Sequence, residues 1–295
     1  MVWLSATNYT DHEAATMPVA PAPLLNSHGA AIPAIGFGTS SIPTRCGPLV
    51  AEALKIGYRH IDTAQKYGTE KGVGEGIRAS GIPRSEIFLT TKVSHEYLRA
   101  DDFQRSAEGS LRDLGVDYVD LLLVHWPNAA IPLAETMGVL AKVKRRGLTR
   151  HVGVANFNLA MLDEAIALCA EPIVNLQTEF HPYINPVKVH AGCVARGVVL
   201  TGYCPLGRGS LLDDPVLAEI GRAKGKSVAQ VALRWQIQHE GCAPLPRSSN
   251  PGRIAENLAV FDFVLDPWEM KRISSLKRPG AKIADPKGRA PAWDD

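Results

Sequence analysis

The feature that most constrains this chain is a regular alternation of short apolar runs with amphipathic stretches. The runs are AIGFG (34–38), YRHID (58–62), IFLTTKV (87–93), VDLLLVHW (119–126), HVGVANF (151–157), IVNLQTEF (173–180), VVLTGYC (198–204) and CAPLPRS (242–248). Several are continuously apolar, as strands covered on both faces are. Between them lie helical segments such as PLVAEALKI, LAETMGVLAKVKRRG, LAMLDEAIALCA and SVAQVALRWQIQHEG. The clearest is DDFQRSAEGSLRDLG (101–115), where Phe103, Ala107, Leu111 and Leu114 fall on one helical face. Asp101 and Asp102 read as its capping residues and Gly115 as its stop. Eight such units over about 250 residues predict an α/β fold of the (β/α)₈ TIM-barrel type. A turn at Asn26–Gly29 adds an N-terminal β-hairpin that plugs the bottom, and extra helices are expected near the C-terminus.

The competing architecture is a doubly wound sheet, which should carry G-x-G-x-x-G directly after its first strand. GVGEG (72–76) looks like such a loop, but Ile77 stands where the third glycine belongs, and the preceding strand ends ten residues earlier. Gly72, Gly74 and Gly76 are therefore expected to let a helix pack closely against its neighbours. Residues 17–295 read as one barrel domain, and the polar stretch 1–16 as a disordered extension without the apolar core of a signal peptide.

With 32 basic and 30 acidic residues, the charge balance gives no reason to expect nucleic acid or a membrane surface as partner. Apolar residues make up 45% of the chain, and no run approaches the roughly 18 needed to span a bilayer. Five cysteines without a C-x-x-C spacing read as buried thiols of a cytoplasmic protein, with no metal site. There is no H-x-H pair of the kind a metal-dependent barrel hydrolase would use. The nearest approach is HID (60–62), where His60 is expected to point away from Asp62.

Barrel enzymes place their chemistry at the carboxyl ends of the strands. There, Asp62 ends the second strand, Tyr67 follows it, Lys92 ends the third and His125 ends the fourth. A free tyrosine loses its proton near pH ~10. An adjacent ammonium favours the phenolate, and a carboxylate keeps that ammonium charged. Lowering the phenol by two units takes about 2.7 kcal/mol and would make Tyr67 a usable general acid near neutral pH. His125 is placed to steer a carbonyl oxygen toward it. An acid of this kind needs a hydride donor. Asn156 and Gln177 can grip a carboxamide, and Tyr203 can stack on a flat ring. The glycine loop LGRGSLL (206–212), with Leu206 and Gly207, offers backbone N–H groups to a pyrophosphate. LPRSSNPGRIAEN (245–257) gathers Arg247, Ser248, Asn250 and Arg253 around a helix start near Asn250, a natural anion site.

These residues carry a resemblance to the aldo-keto reductases. GYRHIDTAQKYGTEKGVG, LRDLGVDYVDLLLVHWP and LPRSSNPGRIAEN resemble that family's signature, active-site-histidine and cofactor-tail motifs. GVANF, NLQTEFHP and GYCPLG resemble three motifs between them. The resemblance runs from about Pro23 to Trp293 and implies NAD(P)-dependent reduction of aldehydes and ketones; Arg247 and Arg253 at the helix entrance, able to meet the extra ribose phosphate, point to NADPH. It places the catalytic tetrad on Asp62, Tyr67, Lys92 and His125, the carboxamide grip on Asn156 and Gln177, and the stacking ring on Tyr203. The adenosine end falls on Arg247, Ser248, Arg253, Glu256 and Asn257. Short loops and the APAWDD ending look nearest to the bacterial 2,5-diketo-gluconate reductase-like branch. A small-molecule carbonyl is the expected partner, and a monomer or weak dimer the expected state. Ala155, Cys204, Thr69 and Arg247 depart from the family's usual serine, serine, asparagine and lysine. Ser40 and Ser41 stand where many members place a tryptophan. His125, Trp126, His95 and Trp293 are left to shape the substrate mouth, which is expected to be open and polar. The same scaffold also serves in non-catalytic NADPH-binding subunits, which is the alternative reading.

Overall fold

The computed structural model describes residues 22–294; the extension expected at residues 1–16 lies outside the described residues. The chain enters through a hairpin of β1 (Leu24–Ser27) and β2 (Ala30–Pro33), whose two-residue turn takes positive φ at His28 (45°) and Gly29 (88°). Two successive left-handed residues give the turn whose twist matches antiparallel strands. Eight parallel strands follow: β3 (Phe37–Gly38), β4 (His60–Asp62), β5 (Phe88–Val93), β6 (Val119–Val124), β7 (Thr149–Ala155), β8 (Ile173–Glu179), β9 (Val199–Tyr203) and β10 (Cys242–Pro244). Each pairs with the next in chain order. The first and last are joined by backbone bonds from Gly36 N to Pro244 O and from Gly38 N to Pro246 O, both 3.0 Å. The sheet thereby curls into the (β/α)₈ barrel that the alternation predicts.

The hairpin closes the amino-terminal end of the barrel. Ser27 Oγ donates to Val174 O and Gly197 O, each at 2.8 Å. Ala30 and Ile32 join Leu121, Leu123, Ala155, Val174 and Val199 in an inner apolar cluster. A larger core lies between the strands and the helices outside them. These are α1 (Cys46–Ile56), α2 (Glu70–Ser80), α3 (Ala100–Leu114), α4 (Leu133–Arg145), α5 (Leu159–Leu168), α6 (Val187–Ala195), α7 (Pro215–Lys224), α8 (Val228–Ile237), α9 (Pro251–Leu258) and α10 (Pro267–Ser274). Two helices follow β9 and two follow β10, which supplies the extra helices expected near the C-terminus.

The GVGEG glycines lie inside α2 and serve packing. A Cβ on Gly74 would sit 2.0 Å from Leu114 O, and one on Gly76 would sit 2.5 Å from Gly47 O. Only hydrogen at these positions lets α2 approach α3 and α1 so closely. Two expectations are corrected. Asp101 and Asp102 occupy the first turn of α3 without capping it; the N-terminal amide of Ala100 is met by Glu135 Oε1 from α4, 3.0 Å away. His60 faces the same side as Asp62, because residues two apart share a strand face. It is fully buried, and its Nε2 lies 3.0 Å from Thr90 Oγ1.

Candidate active site

The carboxyl ends of the strands open into a cavity of about 990 Å³. Asp62 and Lys92 are brought together at its floor by the adjacent strands β4 and β5. Lys92 is wholly buried, and its Nζ donates to Asp62 Oδ1 (2.6 Å), to Thr63 O (2.8 Å) and to Tyr67 OH (3.4 Å). A buried ammonium is tolerable only with such partners. Tyr67 reaches the cavity from the 3₁₀ turn Gln65–Tyr67, and the turn's base is held by hydroxyls. Thr69 Oγ1 lies 2.9 Å from Thr63 Oγ1 and 3.2 Å from Thr39 Oγ1, and Thr39 Oγ1 donates to Asp62 O at 3.0 Å. The threonine at position 69 thus takes part in a chain of side-chain bonds.

His125 stands across from Tyr67, the two rings meeting edge to face with centroids 5.5 Å apart. Burial, and then the charge of Lys92, push its imidazole down to about 3, so His125 is neutral at neutral pH. A neutral ring can donate a hydrogen bond to a carbonyl oxygen without competing to protonate it. Lys92 is raised: burial opposes its charge, but the Asp62 carboxylate and the phenol oxygen outweigh that. The direction at Tyr67 corrects the sequence reading. Burial raises the phenol more than Lys92 lowers it, so its net shift is upward. Lys92 restrains that rise without reversing it.

The next three strands supply amides and a ring. Asn156 follows β7 with φ 63°, a left-handed conformation that asparagine tolerates better than most residues. Its amide is fixed from two sides: Nδ2 donates to His125 O (2.9 Å), and Oδ1 accepts from Tyr203 OH (2.8 Å). Gln177 Nε2 donates to Asp62 Oδ2 (2.8 Å), which ties the amide pair to the charged floor. Ala155 packs in the inner apolar cluster.

Beyond Tyr203 the cavity runs past Cys204, Leu206 and Arg208 to Arg247, Ser248, Ser249, Arg253, Glu256 and Asn257. Gly207 does not line it. The N–H of Gly207 donates to Cys204 O and that of Gly209 to Leu206 O, both at 2.8 Å, within the 3₁₀ turn Gly207–Gly209. Those amides are therefore taken up by the chain itself. The group this loop does present is the exposed side chain of Arg208, held out at φ 53° between two glycines. Arg208 escaped the sequence reading, and the signal that could have found it is a lone cation inside a glycine loop. Asn250 caps α9 through Oδ1 and Arg253 N (3.3 Å), and Glu256 binds Ser227 Oγ.

At the opposite edge, Ser40, Ser41 and Trp126 line the cavity. His95 and Trp293 stand just outside the lining. Trp293 packs edge-on against Trp126 with centroids 6.2 Å apart. His95 lies in the 3₁₀ turn after β5, where burial and then Arg289 lower its imidazole.

The sequence profile of the aldo/keto reductase family matches residues 34–278. The chain belongs to that family. It is 38% identical over 267 residues to the methylglyoxal reductase DkgB of Salmonella typhimurium, a match covering 89% of this chain and 99% of that one. It superposes with a TM-score of 0.90, at 44% identity, on the structure of a candidate 2,5-diketo-D-gluconic acid reductase B, covering 93% of this chain and 98% of the other. A Bombyx mori aldo-keto reductase solved in complex with NADP superposes with a TM-score of 0.82 at 32% identity, covering 88% and 94%. As an aldo-keto reductase, the chain is an NADP(H)-dependent oxidoreductase. Among the described residues, no helix is long and apolar enough to cross a membrane.

The residues present fit that cofactor. Arg208, Arg247 and Arg253 line one end of the cavity and have no carboxylate partner among the described residues, which suits a polyanionic tail. The amides of Asn156 and Gln177 and the Tyr203 ring line the stretch between that end and Tyr67. A volume near 990 Å³ stands at the upper end of the range for small-molecule sites, about 1,000 Å³.

Proposed function

We propose that this aldo-keto reductase reduces small aldehydes, ketones and dicarbonyls to alcohols with NADPH, Tyr67 giving the proton. When bound, NADPH supplies the hydride. The observation that carries the reading is the cluster at the cavity floor, where a wholly buried Lys92 touches both Asp62 Oδ1 and Tyr67 OH. Tyr67 holds a proton at neutral pH and donates it to the carbonyl oxygen as negative charge develops there. The Lys92 ammonium, kept charged by Asp62, stabilises the phenolate left behind. Neutral His125, facing the Tyr67 ring, orients the carbonyl oxygen through a hydrogen bond.

The remaining roles follow from placement. Asn156 and Gln177 hold the carboxamide, and Tyr203 presents its ring to the nicotinamide. Arg247, Ser248 and Arg253 bind the adenosine-ribose phosphate beside the N-terminus of α9, with Arg208 on the phosphates between. Glu256 and Asn257 line the adenosine end. Ser40 and Ser41 leave that wall open and polar, which favours short or sugar-derived carbonyls over flat aromatic ones. The methylglyoxal reductase relative is consistent with such a site.

NADPH oxidation on adding methylglyoxal or a short aldehyde tests the reading and separates an enzyme from a cofactor-binding subunit. Binding of NADPH without turnover of any aldehyde, ketone or dicarbonyl would overturn it. A substrate panel led by steroids would overturn the proposed substrate class.

A further inference from the structure

The segment that follows α10, residues 275–294, has no helix or strand and reaches the cavity at Ala284, which forms part of its wall. It is fastened at both ends. Near α10, Arg278 N donates to Tyr183 O (2.9 Å), and the guanidinium lies 3.6 Å from the Tyr183 ring centre. At the far end, Asn158 Nδ2 donates to Ala292 O (2.9 Å), and Asp294 Oδ2 accepts from Leu159 N (2.7 Å). Trp293 rests on Trp126 there.

Between these ends the barrel reaches the strap through Glu179. Its carboxylate is wholly buried and accepts from three donors. Oε1 takes His181 Nε2 (2.9 Å) and Ile283 N (2.9 Å); Oε2 takes Ala284 N (2.7 Å) and Ile283 N again (3.1 Å). Burial would raise this carboxyl, but the bonds from His181 and the two strap amides outweigh it, and the group is held below its ordinary value. Glu179 ends β8 two residues after Gln177, so both side chains leave the same face of one strand. One strand therefore carries an amide of the cofactor site and the anchor of the substrate wall.

We propose that Glu179 is a positioning residue for the carbonyl substrate, fixing the strap at residues 283–284, where Ala284 lines the cavity that also holds Tyr67 and His125. The inference rests on the carbonyl-reduction reading above and deepens it. Glu179 touches neither substrate nor cofactor. It sets how far the wall stands from the reacting carbonyl, so its loss reads in substrate binding and leaves the chemical step and the cofactor site as they were.

The test compares the wild type with Glu179→Ala and Glu179→Gln for KM and kcat on methylglyoxal. It adds the NADPH Kd, from tryptophan fluorescence, and the rate of tryptic cleavage after Lys282, Lys287 and Arg289. Glu179→Ala is expected to raise KM about tenfold, with kcat within about threefold and the NADPH Kd within about twofold, the pattern of lost substrate binding. Cleavage in the strap should speed up about tenfold as its backbone opens. Glu179→Gln, with one acceptor oxygen for three donors, should fall between. A chain ending at Lys282 keeps Glu179 and removes the strap from Ile283 onward, Trp293 included, so its KM should rise at least as far as that of Glu179→Ala. If the alanine variant fails to fold, Glu179→Gln, which keeps the shape of the side chain, decides the matter. A KM within about twofold of wild type in the folded variant, or in the truncated chain, overturns the proposal. So does a fall in kcat and NADPH affinity at unchanged KM, which would place the action of Glu179 on the cofactor through Gln177. If the wild type reduces no carbonyl, the underlying reading fails on its own account. The clamp is then judged by proteolysis, where unchanged cleavage in Glu179→Ala overturns it.

Discussion

Two histidines, His60 wholly buried and His125 half-buried where it lines the cavity, make the stability of this barrel depend on pH between 7 and 5. His60 is lowered from 6.5 to about 4, chiefly by burial, with the nearby Asp62 charge opposing that shift. His125 is lowered from 6.5 to about 3 by burial and then by Lys92. Both pKa values are depressed in the folded state, so below pH 6.5 the unfolded chain binds protons that the folded chain refuses. Stability is therefore full above about pH 6.5 and falls as the pH drops toward the folded values. Each histidine contributes a slope approaching 1.4 kcal/mol per pH unit, so the pair removes about 3–4 kcal/mol between pH 7 and pH 5. Urea unfolding followed by tryptophan fluorescence at pH 7, 6 and 5 measures this directly. His60→Gln removes the most deeply buried of these groups and should make the fall between pH 7 and 5 shallower, the remainder being shared by His125 and by His95, His151 and His239, which burial also lowers. A wild-type stability flat between pH 7 and 5, or an undiminished fall in His60→Gln, would refute the reasoning.

Other consequences follow from the same geometry. Lys92→Met leaves Asp62 buried without its cation, and breaking such a pair costs about 3–5 kcal/mol. It also removes the charge that restrains the Tyr67 phenol, so turnover at neutral pH should drop, as steady-state assays and thermal unfolding would show. Arg253→Ala should weaken NADPH binding about tenfold or more, since bonds to a charged group contribute about 1.5–3 kcal/mol each, while NADH binding hardly changes. Equal affinity of the wild type for NADPH and NADH would contradict that role. Gly74→Ala should destabilise the fold by about 1–3 kcal/mol or more, because its methyl meets the Leu114 carbonyl, and urea titration would report it.

The strands and their order were legible because each is a short apolar run set between amphipathic stretches, and the polar residues at or just beyond several strand ends then named most of the cavity. Asp62, Tyr67, His125, Asn156, Gln177 and Tyr203 all line it. What the sequence concealed depends on contacts made over long distances or on competing magnitudes. The α3 amide is met by Glu135, 35 residues from Ala100, so Asp101 and Asp102 were the natural but mistaken reading. The direction at Tyr67 turns on burial exceeding the effect of Lys92, and only packing fixes how buried the phenol is. Gly207 looked like a phosphate ligand because a string of letters does not show that its amide is already bonded. The strap partners of Glu179, Ile283 and Ala284, lie more than a hundred residues away in a segment without periodicity, so the clamp left no local trace.

The central claim is that Tyr67 delivers the proton from the cluster it forms with Lys92 and Asp62. Turnover of Tyr67→Phe, measured with saturating NADPH and a short aldehyde under conditions where chemistry is limiting, tests it most directly. The account predicts a loss of about a hundredfold or more in kcat, with the NADPH Kd nearly unchanged. Retention of more than about a tenth of wild-type turnover would contradict it.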